Sequence, residues 1–140
     1  MSEKIPDLWP DNIAVADSSR FPLIILRQQA TLLGEKTRNI VEGEVRSIFD
    51  NIPVSPKETY FRHEFNIVAP ALGNYRFRLF NLEHSDDVYP STIYISKERE
   101  EGEKAVTVES EEELIEALRR IFASEKTRRI IHALIAQSQA

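Results

Sequence analysis

The chain has 140 residues, 41% of them hydrophobic and 29% charged, with a formal net charge of −5 at pH 7 and no cysteine. That length and composition suit one globular domain spanning 1–140 and exclude a disordered or low-complexity chain. The missing cysteine excludes disulfide frameworks, thiolate metal sites and cysteine nucleophiles, and the acidic balance argues against a general nucleic-acid binder.

Residues 1–20 combine Pro6, Pro10, several Asp and a lone Trp9, the pattern of an irregular arm. No basic-then-apolar leader is visible in MSEKIPDLWPDN, and no apolar run in the chain approaches the roughly 20 residues of a membrane helix. A cytoplasmic, bacterial protein is the expectation. An aromatic as large as Trp9 is costly to leave in water, so the arm is expected to dock on the rest of the chain.

Pro22 suits the first turn of a helix, where its missing N–H costs nothing. Leu23, Leu26, Ala30 and Leu33 follow at helical spacing, widened by Ile25 and Leu32, with Arg27, Gln28, Thr31, Glu35 and Arg38 on the other side. A helix over 22–38 follows, with Gly34 weakening it by about 1 kcal/mol against alanine.

The period then changes. Segments 41–49, 60–68, 75–83, 91–97 and 104–109 are rich in Val, Ile, Phe and Tyr and are bounded by turn residues. Phe61, His63, Phe65 and Ile67 alternate with Arg62, Glu64 and Asn66, and Tyr75, Phe77 and Leu79 alternate with Arg76 and Arg78. The VAPALGN link with Gly73-Asn74 predicts a hairpin between these two strands.

Ser110 and Glu113 match a capping box opening a helix. Leu114, Ile115, Leu118, Ile121 and Phe122 form one apolar face, whereas Ile130, Ile131, Leu134 and Ile135 form another. At about 100° per residue these faces lie on nearly opposite sides of one straight helix, so a break near Ser124 is expected. The fold class expected is α+β: an N-terminal helix, an antiparallel meander of four or five strands, and one or two C-terminal helices packed on the sheet.

The candidate chemistry is sparse. Glu42 and Glu44 share a strand face and as paired carboxylates could hold a divalent cation or act as acid and base, though they read first as a solvated strand face. His63, beside Phe61 and Phe65, reads as a half-buried, hydrogen-bonded histidine before it reads as a catalyst, and it points away from Glu64. His84-Ser85-Asp86-Asp87 reads as a loop with ordinary turn chemistry. No nucleophile elbow or Gly-rich phosphate loop occurs.

Arg62, Arg76 and Arg78 fall on one sheet face near aromatic residues and are the candidates for binding an anion or single-stranded RNA. At the C-terminus, residues 97–116 carry three basic and nine acidic groups and residues 117–140 five basic and one acidic. Arg119 and Arg120 sit where the helix dipole and Glu116 favour them. Lys126, Arg128 and Arg129 fall at the start of a helix capped by Ser124, the unfavourable end, which points to an acidic counterpart.

The leading functional expectation is a non-catalytic protein-interaction or accessory module, requiring no cofactor or metal, that forms a homodimer through Ile130, Ile131, Leu134 and Ile135 and has a protein partner. The alternatives are a small metal-dependent enzyme using Glu42, Glu44, His63 or His84, and an RNA- or anion-binding domain. Nucleic acid and membrane partners are not expected.

Overall fold

Extended Phe21 followed by Pro22 opens the first helix of the computed structural model, which describes residues 4–14, 21–50, 60–96 and 103–140. This helix, α1, runs Pro22–Lys36, two residues short of the sequence expectation. The Thr37 hydroxyl donates to the Val41 carbonyl at 2.7 Å, and Arg38 and Asn39 take positive φ angles of 53° and 63°. Together they turn the chain into the sheet before another helical turn forms.

Five strands follow: β1 (Glu42–Asp50), β2 (Tyr60–Ala69), β3 (Tyr75–His84), β4 (Ser91–Ser96) and β5 (Glu103–Val108). They form one antiparallel meander in the order β1-β2-β3-β4-β5. The β2–β3 hairpin turns through a 3₁₀ turn at Pro70–Leu72, then Gly73 and Asn74 at φ 67° and 59°. These are positions where glycine and asparagine are tolerated and most residues are strained.

The hairpin contains a β-bulge. Phe65 faces Phe80, yet the next residue, Asn66, faces Arg78, leaving Leu79 as the extra residue. Both Leu79 and Phe80 are therefore buried on the helix side. The strict alternation expected from Tyr75 onward ends there, and its phase shifts by one residue.

α2 spans Glu111–Phe122 and α3 spans Glu125–Ser138. Ser110 accepts the Glu113 N–H at 3.2 Å, while the Glu113 carboxylate takes the Glu109 N–H rather than that of Ser110. The expected break is present: Ser124 is extended, caps α3 by accepting the Thr127 N–H at 3.2 Å, and redirects the second apolar face onto the sheet. The buried Thr127 hydroxyl donates to the Ile121 carbonyl at 2.7 Å, satisfying an acceptor at the end of α2.

All three helices lie on one side of the sheet. α1 covers β1 and reaches β2, α2 meets β5, and α3 meets β2 and the 3₁₀ turn. One apolar core results, with Leu26, Phe65, Phe80, Leu82, Ile93 and Leu114 among its fully buried members. No helix among the described residues is long and apolar enough to cross a membrane.

Candidate functional site

Strand alternation and the observed register sort the sheet residues onto two faces. The open face carries Glu42, Glu44, Arg46 and Ile48 of β1, Arg62, Glu64, Asn66 and Val68 of β2, Arg76, Arg78, Asn81 and Glu83 of β3, and Thr92 and Tyr94 of β4. Arg62, Arg76 and Arg78 do share this face. So, however, do Glu42, Glu44, Glu64 and Glu83, which with Arg46 make four cations and four anions among the side chains described on β1–β3.

Arg76 Nε contacts both Glu44 carboxylate oxygens, at 2.9 and 3.1 Å, and Asn66 donates to the same carboxylate at 3.2 Å. The Arg76 guanidinium holds the Glu44 pKa below the ordinary carboxylate value, and Glu44 in turn raises that of Arg76. Arg62 Nε donates to Glu83 at 2.8 Å. A face so balanced in charge offers little net field to a phosphate backbone.

Arg62 and Arg78 are brought together at a shallow hollow of about 310 Å³, shared with Asn81, Glu83 and Tyr94. Asn81 lines it and is only 8% exposed, with its carboxamide oxygen lacking a hydrogen-bond partner among the described residues. Arg76 lies outside this group. Asn81 was not among the sequence candidates, because an asparagine in a strand gives no sign of burial until the bulge places it opposite Glu64 and Tyr94.

His63 lies on the other face, so it does not converge with Glu42 and Glu44. Nor does it stay half-buried: it is 2% exposed. His84, expected in a loop, is the last residue of β3 and meets it. Ser47 Oγ is 2.8 Å from His63 Nδ1, His63 Nε2 is 3.0 Å from His84 Nε2, and His84 Nδ1 is 2.7 Å from the Ser85 carbonyl.

A carbonyl only accepts, so His84 carries its proton on Nδ1. With both rings neutral, His63 then donates through Nε2 and accepts the Ser47 hydroxyl at Nδ1. Burial, the neighbouring His84 and the charge of Arg27 push the His63 pKa down to about 4. A ring this enclosed, with both nitrogens engaged, ties β1, β2 and β3 together and gives a substrate no approach. Among the described residues no group of three or more His, Asp or Glu could hold a metal ion.

Among the described residues the helix side contains three apolar openings, of which a hollow of about 440 Å³ beside α3 is the most voluminous and a smaller cleft lies between the helices. α1 stands apart from α2 and α3, and the cleft between them has Phe65, Ile67 and Leu79 as its floor. Leu32, Leu33 and Lys36 form one wall, and Phe122, Thr127 and Ile131 the other, around a volume of about 250 Å³. A second hollow of about 370 Å³ shares Gln29 and Phe122 with the first and extends it past Ile25, Ile115 and Arg119. Leu32 and Ile115 at the lips are 41% and 38% exposed.

Of the four proposed interface residues, Leu134 belongs to the core, whereas Ile130, Ile131 and Ile135 are partly buried against it. Ile131 reaches the cleft; Ile130 and Leu134 border another hollow with Leu72, Tyr75 and Phe77 on the far side of α3. Lys126, at the unfavourable end of α3, has a local explanation: its ammonium donates to the Ser96 carbonyl and lies 5.8 Å from the centre of the Phe77 ring.

The arm does not dock as expected. Ile5, Leu8, Trp9 and Ile13 are 83%, 81%, 71% and 61% exposed. Its order is local: the Trp9 N–H donates to Asp7 at 3.0 Å and the Ile13 N–H to the Pro10 carbonyl at 3.2 Å. Comparison with family models, with curated proteins and with solved structures gave no match.

Proposed function

We propose that the chain is a non-catalytic protein-interaction module whose working surface is the cleft between α1 and the α2–α3 pair. The occupant it suits is a short apolar segment carrying acidic residues. The observation behind this reading is the open apolar cleft itself, with Leu32 and Ile115 exposed at its lips and Lys36 and Arg119 on its walls. Apolar side chains inserted there gain roughly 25 cal/mol per Å² removed from water, and Lys36 favours an acidic flank, Arg119 being ion-paired with Glu116 at 2.8 Å. The balanced charge of the open sheet face favours this reading over RNA binding, and the separation of His63 from Glu42 and Glu44 favours it over metal-dependent catalysis.

Calorimetric titration of the full chain tests it with two synthetic peptides sharing the same apolar residues, one spaced with aspartates and the other with lysines. The aspartate peptide binds, the lysine peptide binds at least tenfold more weakly, and Leu32→Asp weakens the aspartate peptide by a similar factor. Absence of binding by either peptide, or equal binding of both that ignores Leu32→Asp, contradicts the reading.

A further inference from the structure

We infer that the occupant of the cleft is the N-terminal arm of a second copy of this chain, so that two copies exchange arms in a symmetric dimer. This rests on the reading of the cleft as a peptide-binding surface and names its partner.

Two sets of unsatisfied apolar surface carry the inference. Ile5, Leu8, Trp9 and Ile13 put four large apolar side chains into solvent within nine or so residues, and the cleft lips expose Leu32 and Ile115. These six make up most of the exposed large apolar side chains among the described residues. A tryptophan alone buries about 150–250 Å² when it docks. One chain by itself leaves the arm in water and the cleft open, while a second copy supplies each with the other.

The charges agree with the pairing. The arm segment 4–14 contains one lysine and two aspartates, Asp7 and Asp11, interleaved with the apolar residues. The cleft walls present Lys36 at the end of α1 and Arg119 on α2; Arg119 is also ion-paired with Glu116 at 2.8 Å, so the complementarity rests chiefly on Lys36. Asp7 and Trp9 are already held in a local turn by the Trp9 N–H bond, so part of the ordering cost of docking is met before contact. Exchange is reciprocal in a two-fold dimer, since each copy has one arm and one cleft.

The test uses full-length protein. Sedimentation or light scattering across the micromolar range should take wild type from the mass of one chain to that of two. The double variant Leu8→Ser/Trp9→Ser and the cleft variant Leu32→Asp should each stay at one chain while keeping the wild-type circular dichroism spectrum. Both sites are exposed, so neither substitution touches the core. Mixing the two variants should restore association at lower affinity, because one intact arm then meets one intact cleft.

A wild type that keeps the mass of one chain throughout overturns the exchange. So does a dimer that survives both variants, or two monomeric variants that fail to complement each other, as an arm folding back on its own cleft would. If the exchange fails while the aspartate peptide still binds, the cleft keeps its role and its partner is another protein. If neither is seen, both readings fall.

Discussion

Gly43 of β1 lies directly beneath Ala30 of α1: a Cβ built on Gly43 would stand 2.4 Å from the Ala30 Cα and 2.6 Å from its Cβ. The helix therefore touches the strand backbone to backbone, and the position of α1, which forms one wall of the cleft, depends on two side chains being small. Gly43→Ala should destabilise the protein by about 2–3 kcal/mol, since backbone atoms cannot rotate away from an overpacked contact. Urea denaturation measures this. A loss below about 0.5 kcal/mol would mean that α1 shifts freely on the sheet.

The buried His63 makes stability depend on pH. Its folded pKa of about 4 lies below the ordinary histidine value of 6.5, so the unfolded chain binds the proton more tightly. The contribution of the neutral ring is complete above pH 6.5 and is lost as the pH falls through that value toward 4. The difference corresponds to about 3 kcal/mol at most. Wild type should lose more stability than His63→Gln between pH 7.5 and 4.5, although the variant is less stable at pH 7.5. Parallel pH profiles for the two proteins would assign the acid sensitivity elsewhere.

The α2–α3 junction rests on Ser124 and Thr127, whose hydroxyls are 3.0 Å apart. Ser124→Ala removes the cap of α3 and should cost about 1 kcal/mol. Thr127→Val removes one of two donors to the Ile121 carbonyl, the other being the Ser124 N–H at 3.2 Å, and should cost about 1 kcal/mol. Because the two groups bond to each other, the double variant should cost less than the sum of the singles. Strict additivity in denaturation would show that the caps act independently.

Asn81 places a buried carboxamide oxygen where no described residue donates to it. Its buried oxygen lacks a partner, so Asn81→Leu should leave the melting temperature unchanged or raise it, whereas most buried substitutions lower it. A drop of several degrees would mean that the carboxamide has a structural role in the sheet.

The architecture was legible because its signals were local. Pro22, the Ser110 N-cap, the alternation in FRHEFNI and the reversal of apolar faces around Ser124 each report on a few neighbouring residues, and each matched the structure, although Glu113 reaches back to Glu109 and not to Ser110. The bulge was written in the sequence as the doublet Leu79-Phe80, two apolar residues where alternation calls for one, but it has meaning only against Phe65 across the strand pair. The same register brings Ser47, His63 and His84 into line and gathers Arg62 and Arg78 around Asn81 while Arg76 goes to Glu44. Those groupings depend on residues 16 to 32 positions apart, beyond the reach of periodicity. The arm departed from expectation for a related reason: the hydrophobicity of Trp9 says that it needs a site, not on which molecule that site lies.

Trp9 is the chain's sole tryptophan, so its fluorescence reports on the arm alone. The most direct measurement is its emission spectrum as a function of protein concentration, with wild type beside Leu32→Asp. At low concentration both should show the long-wavelength emission of a solvent-exposed indole. As copies associate, wild-type emission should move to shorter wavelength and become protected from iodide quenching, while Leu32→Asp stays unchanged. A wild-type spectrum that remains that of exposed tryptophan at every concentration, or a shift shared equally by Leu32→Asp, would contradict docking of the arm in the cleft.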